Sequence, residues 1–95
     1  MPAYALVGVE WHSQEAFDAY ARDVEDTVQR FGGRYIVGTR DYELREGGWR
    51  PPIVVVLEFP TLDVARGWYE SDEYAPLLEI RKQGATSDLI LVDGL

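Results

Sequence analysis

Apolar and polar positions alternate from Ala3 to Trp11, with Tyr4, Leu6 and Gly8 on one side and Ala5, Val7, Val9 and Trp11 on the other. A period of two belongs to a β-strand, whose successive side chains point to opposite faces, and here both faces are largely apolar. The period then lengthens. Phe17, Tyr20, Ala21, Val24, Val28 and Phe31 recur at steps of three and four along one stripe, which predicts an amphipathic helix. Ser13 is placed to cap its start and Gly32-Gly33 to end it. Arg34 to Thr39 reads as a second strand, resuming over Tyr42 to Arg45 after an irregularity around Gly38 to Asp41. Gly47-Gly48 has the backbone freedom a tight hairpin needs, and Trp49 to Phe59 reads as the returning third strand. Pro51-Pro52 belong at an edge or bulge, because proline donates nothing to a ladder.

Pro60-Thr61 opens a short helix carrying Leu62, Ala65, Trp68 and Tyr69. Ser71 is placed to cap a second helical piece in which Tyr74, Leu77, Leu78 and Arg81 share a face. Pro76 stands at the edge of what a first turn tolerates, so this piece is expected to start late or kink. Gly84 stops it, and Ser87 to Val92 reads as the fourth strand. The order β-α-β-β-α-β predicts an α+β, ferredoxin-like domain with a four-stranded antiparallel sheet and its helices on one face. That arrangement leaves a problem of cover. The first and third strands are apolar on both faces, whereas the helices shield one. The open face would exceed the apolar patch of an ordinary soluble monomer, and a second copy of the chain is the expected lid.

Several spaced segments carry a family resemblance: GGRY at 32 to 35, WRP at 49 to 51, VVVLEFP at 54 to 60, WYESDEY at 68 to 74, Arg81, and SDLILVDG at 87 to 94. Together they resemble the domain-of-unknown-function family numbered 1330, over nearly the whole chain. The resemblance implies a dimeric α/β barrel, in which ferredoxin-like chains pair their sheets face to face as a homodimer. It implies no established activity. The GTRD segment after the second strand, Gly67 and Pro76 depart from the pattern and bear on local geometry.

Ninety-five residues suffice for one domain, here 1–95, which buries only ~60–65% of its unfolded surface. Association with another chain is therefore favourable. Nine basic against seventeen acidic side chains give a net charge of -8, which opposes phosphate backbones and anionic membrane surfaces. Neither nucleic acid nor a membrane is an expected partner. Without cysteine, disulfides, thiol catalysis and cysteine-ligated metals are excluded. The N-terminal MPAYALVGVEW is apolar but short and lacks a basic leader, so a cytoplasmic location is expected.

Candidate chemistry centres on Glu58, a carboxylate at the end of an apolar strand. Partial desolvation would suit it to general acid or base work; the plainer reading is an ion pair with Arg34 or Arg81. Arg81, Tyr74, Tyr69 and Ser71 could wall a pocket between helix and sheet for an anionic or carbonyl-bearing ligand, although Ser71 also reads as a cap and the tyrosines, with Tyr20 and Trp68, as core. His12 is the single histidine; it reads as an exposed turn residue, with a dyad to Glu15 or Asp18 as its catalytic alternative. Asp23, Glu25 and Asp26 read as a solvated helix face, not a metal cage. No Walker, dinucleotide, zinc or EF-hand motif is present.

The leading expectation is thus a homodimer that binds a small organic ligand between helices and sheet, at Glu58, Tyr69, Ser71, Tyr74, Arg81 and Arg34, without metal or tightly held cofactor. One alternative is a cofactor-independent enzyme of monooxygenase or isomerase type, which fold analogy suggests, with Glu58 or His12 moving a proton. Another is a structural dimer locked by Arg34, Glu58 and Arg81.

Overall fold

The computed structural model describes Met1–Leu95. Its elements run β1 (Ala3–Trp11), α1 (Gln14–Arg30), β2 (Arg34–Thr39), β3 (Ile53–Phe59), α2 (Leu62–Tyr69), α3 (Ala75–Gly84) and β4 (Ala85–Asp93). The strands lie in the order β2-β3-β1-β4 with every neighbour antiparallel. This is the expected ferredoxin-like sheet, the second helical segment being divided into α2 and α3. None of the helices is long and apolar enough to cross a membrane.

Local chemistry sets the helix ends. Ser13 Oγ accepts from the Ala16 N–H at 3.1 Å, and Thr61 Oγ1 caps α2 in the same way through Val64. The chain leaves α1 through Gly32, whose φ of +73° a larger residue would resist. At Gly33 the constraint is space, because a Cβ there would lie 2.6 Å from the Phe59 ring. Ser71 does not cap α3 from outside its first turn. Its hydroxyl donates to the Trp68 carbonyl and accepts from the Tyr74 N–H, stitching the end of α2 to the entry of α3. The late start expected from Pro76 is realised at Ala75, which leaves the proline in a first turn where its missing N–H costs nothing.

Strand parity divides the sheet into two faces. Ala5, Val7 and Val9 of β1 stand beside Leu57, Val55 and Ile53 of β3 and, for the first two, Leu91 and Leu89 of β4. This face lies under the helices, and the core forms there from Ala5, Leu57, Phe59, Val24, Val28, Ala65, Trp68, Tyr74 and Leu77. The opposite face aligns Leu6 with Val56 and Ile90, and Tyr4 with Glu58 and Val92. No helix covers it, and Ile90 is 56% exposed.

Two strand expectations are corrected. Residues 42–45 and 49–52 are not strands, and residues 40–52 form a long connection instead of a tight hairpin at Gly47-Gly48. Thr39 Oγ1 accepts from the Asp41 N–H at 2.8 Å and turns the chain out of the ladder, while Pro51-Pro52 has no N–H with which to re-enter it. The returning loop packs on the open face: a Cβ at Gly8 would lie 2.7 Å from Trp49 and 2.8 Å from Pro51. The Tyr42 hydroxyl fixes this packing by donating to the Pro51 carbonyl at 2.5 Å. The irregularity in β2 falls earlier than expected, between Tyr35 and Val37, and β4 begins at Ala85 rather than Ser87.

Candidate functional site

Between α1 and the inner face of β1 and β3 lies an open-mouthed cleft of about 400 Å³, within the range of small-molecule sites. Val7, Val9, Ile53 and Val55 form its floor, and Phe17, Tyr20, Ala21 and Val24 come from α1. The volume follows from the side chains. A valine floor and an alanine in the wall are too short to bring helix and sheet together along this line.

Arg81 enters this apolar space from the last turn of α3. The residue is 5% exposed, its Nε has no hydrogen-bond acceptor in the protein, and it belongs to none of the five ion pairs of the chain. Beside it the hydroxyls of Tyr20 and Tyr74 share a 2.7 Å hydrogen bond. Tyr74 has no exposed surface and packs on Trp68 at a ring separation of 4.2 Å.

Burial pushes the Tyr74 phenol far above its ordinary value, with Tyr20 adding to the shift and the Arg81 charge opposing it. Burial raises Tyr20 as well, against the lowering effects of its bond to Tyr74 and of the nearby guanidinium. Tyr35, whose ring also lines the cleft, is raised mainly by burial and further by Tyr20 and Glu25. All three phenols are therefore neutral at physiological pH. The site combines one fixed positive charge, neutral O–H donors and an apolar cavity.

Of the expected site residues, Arg81 alone lines this cleft, and Tyr74 lies behind it, its hydroxyl bonded to that of the lining residue Tyr20. Tyr69 supports them from behind, its ring 6.0 Å from that of Tyr74 and 6.3 Å from that of Trp68. Ser71 acts through the α2–α3 junction. Glu58 and Arg34 lie elsewhere. Leu57 and Phe59, on either side of Glu58, point into the core, so Glu58 points to the open face. There it accepts from Arg34 Nε at 2.8 Å. The ion pair with Arg34 forms, whereas the convergence of Glu58 with Arg81 at the mouth of one cleft does not, because the sheet separates them.

His12 is exposed, with Nε2 at 2.7 Å from Thr86 Oγ1. Its ring partner is Thr86 and not Glu15 or Asp18, the two carboxylates considered for a dyad, and Asp18 accepts instead from Gln14. Neither His12 nor Glu58 lines the cleft. His12 instead borders a polar recess of about 370 Å³ with Glu10 and Arg40, and Trp11, Phe17 and Ile53 separate that recess from the cleft. Asp23 and Asp26 pair with Arg22 and Arg30 at the surface, whereas Glu25 turns to the cleft rim. No three acidic or histidine side chains converge to hold a metal ion.

Tyr20, Tyr35 and Glu25 were not singled out as ligand-facing residues in the sequence. For Tyr20 a signal existed, since a buried tyrosine hydroxyl ordinarily requires a partner.

These features define a class: a ferredoxin-like α+β chain with helices over one face of its sheet, a cleft beneath them, and an apolar second face. The chain belongs to the family described as a domain of unknown function, DUF1330, whose sequence model matches residues 2–95. No curated protein matches it. Among solved structures, a protein of unknown function from Rhodopseudomonas palustris is 22% identical, with a TM-score of 0.77 over 99% of this chain and 82% of its own. A dimeric ferredoxin-like protein of unknown function from Jannaschia sp. CCS1 is 10% identical, with a TM-score of 0.75 over 99% and 100% of the two chains. SnoaB from Streptomyces nogalater, a cofactor-independent oxygenase, is 16% identical, with a TM-score of 0.70 over 99% and 93%. At these identities the likeness is one of fold.

Proposed function

We propose that the chain acts as a homodimer in which each subunit holds a small, mainly apolar organic molecule in the cleft between α1 and the sheet. The observation that carries this reading is the cleft itself. Small-molecule sites are concave, mostly apolar clefts with a few convergent polar groups, and here about 400 Å³ lies over a floor of valine and isoleucine with Arg81 and Tyr20 in its wall. Water is poorly held by such a lining, because it needs two to four polar partners. Association is supported by the other face, where Leu6, Val56 and Ile90 form an apolar row that no helix covers and Ile90 is 56% exposed. The dimeric likeness from Jannaschia favours the same assembly.

A thermal-shift screen of small organic molecules tests the ligand. At a hundredfold excess over Kd, a ligand specific for the folded state adds about 2.7 kcal/mol, which corresponds to roughly 10 °C or more for a domain of this size. Ala21→Phe, at the exposed mouth of the cleft, is expected to abolish the shift and leave the assembly intact. A shift that survives it places the ligand elsewhere. Light scattering at micromolar concentration is expected to return twice the 10.8 kDa chain mass, and Ile90→Lys to halve it. A native particle of single-chain mass overturns the dimer.

A further inference from the structure

We infer that the ligand is a monoanionic carboxylic acid with a flat apolar body, its carboxylate received by Arg81 together with the Tyr20 hydroxyl, which Tyr74 holds from behind. The inference rests on the cleft reading above and gives that ligand a chemical class.

Three features of the site lead to it. Arg81 is buried among apolar groups with its Nε free of any acceptor, and a guanidinium in that setting is a planar fork of donors matched to the two oxygens of a carboxylate. The two phenols are kept in their neutral form by burial. Together they carry two O–H protons, of which one is used in the bond between them; the other is left to donate to a bound oxyanion. Finally, the floor of valine and isoleucine suits a planar hydrocarbon frame.

Charge restricts the ligand further. The site offers one fixed cation, while Glu25 stands at its rim and the whole chain carries -8. A dianion such as a phosphate monoester would place one charge on the guanidinium and leave the second facing a carboxylate. A single negative charge is neutralised in full. The polar recess around His12 and Arg40 lies beyond the aromatic wall and takes no part in this recognition.

The test uses the 95-residue chain at neutral pH and two matched probes, 2-naphthoate and 2-naphthamide, with affinities measured by isothermal calorimetry. They share a ring system and differ in charge. The acid is expected to bind at least tenfold more tightly than the amide. Arg81→Gln is expected to remove that preference, lowering affinity for the acid at least tenfold and leaving the amide within twofold. If Arg81→Gln does not fold, Tyr20→Phe serves as the second variant, with a threefold or greater loss expected for the acid alone; a smaller loss, or an equal one for the amide, overturns the assignment. Equal affinity of the two probes for the wild-type protein overturns the anion assignment, as does an Arg81→Gln protein that folds and keeps the preference. Failure of the acid to bind at millimolar concentration also overturns it. The cleft reading is judged separately: it stands if neutral molecules bind and Ala21→Phe blocks them, and falls if no neutral or anionic molecule does so.

Discussion

The Tyr20–Tyr74 contact offers a quantitative test of the site's construction through a double-mutant cycle. The two hydroxyls lie 2.7 Å apart, but their surroundings differ: Tyr74 has no exposed surface, whereas Tyr20 borders the open cleft. Tyr74→Phe therefore leaves the Tyr20 hydroxyl able to turn to solvent in the cleft, and the expected loss is about 0.5–1.5 kcal/mol, the net value of a neutral hydrogen bond. Tyr20→Phe strands the Tyr74 hydroxyl in the core, and leaving a buried group unsatisfied costs about 1–3 kcal/mol. The double variant removes both polar partners while keeping both rings. Its loss is expected to fall short of the sum of the single losses by about 1 kcal/mol, or roughly 4–8 °C in Tm. Arg81 lies near both hydroxyls, and the cycle cancels whatever each single change does to it alone. The assay is urea denaturation at one fixed chain concentration, because dissociation makes the stability of a dimer depend on concentration. Additivity within about 0.3 kcal/mol would show that the hydroxyls do not depend on each other. A Tyr74→Phe loss larger than that of Tyr20→Phe would reverse the assignment of which hydroxyl is confined.

Glu58→Gln is expected to leave ligand affinity unchanged and to cost no more than about 1 kcal/mol, since Arg34 in the pair is 71% exposed; a tenfold loss of affinity would contradict its place on the far face of the sheet. Gly84→Ala sets a methyl group against Ala16, where α1 and α3 come closest, and is expected to cost about 1–3 kcal/mol. Ala16→Gly should then be less harmful in that background than in the wild type, and strict additivity of the two Tm changes would refute the contact. Burial holds the phenols of Tyr20 and Tyr74 above their ordinary value of 10.0, so the folded state keeps protons that the unfolded chain releases. The resulting stability is fully present below about pH 10, and above it each phenol is expected to reduce stability by about 1.4 kcal/mol per pH unit. Tyr35 is more than a third exposed and should add less. Urea midpoints measured across this range should fall more steeply for the wild type than for the Tyr20→Phe/Tyr74→Phe variant, and equal slopes would show that these phenols titrate normally.

Much of the architecture is legible in local patterns. The period of two in β1 and the step of three and four in α1 are imposed by which face each side chain must occupy, and both survive intact in the fold. Arg81 is legible for the same reason: its register with Tyr74, Leu77 and Leu78 brings its stem under α3. The facing of Glu58 is not. Leu57 and Phe59 flank it, so parity alone sets it opposite to them, but β3 is apolar on both faces and nothing local says which set meets the helices. The loop at 40–52 is obscured by a different competition. Tyr42 and Trp49 have the character of strand residues, and they are removed from the ladder by a side-chain hydrogen bond at Thr39 and by the prolyl pair Pro51-Pro52. The Tyr20–Tyr74 bond spans 54 positions, and no periodicity within either helix encodes it.

A domain of this size has only a few kcal/mol of net stability at its disposal, and a buried charge deprived of its partner ordinarily costs about 3–5 kcal/mol. Arg81 occupies such a position, 5% exposed with no acceptor for its Nε in the protein and with the phenols of Tyr20 and Tyr74 beside it. On the proposed reading the chain by itself contributes half of an ion pair, whose cost belongs to the fold. The proposed anion would supply the other half among mainly apolar side chains, where the interaction is less screened than in water. An apolar molecule of the same shape fills the space and leaves the charge as it was. Stability and recognition are consequently coupled through one side chain: every tenfold preference for the acid over its neutral isostere appears as about 1.4 kcal/mol of additional stabilisation at equal saturating concentrations.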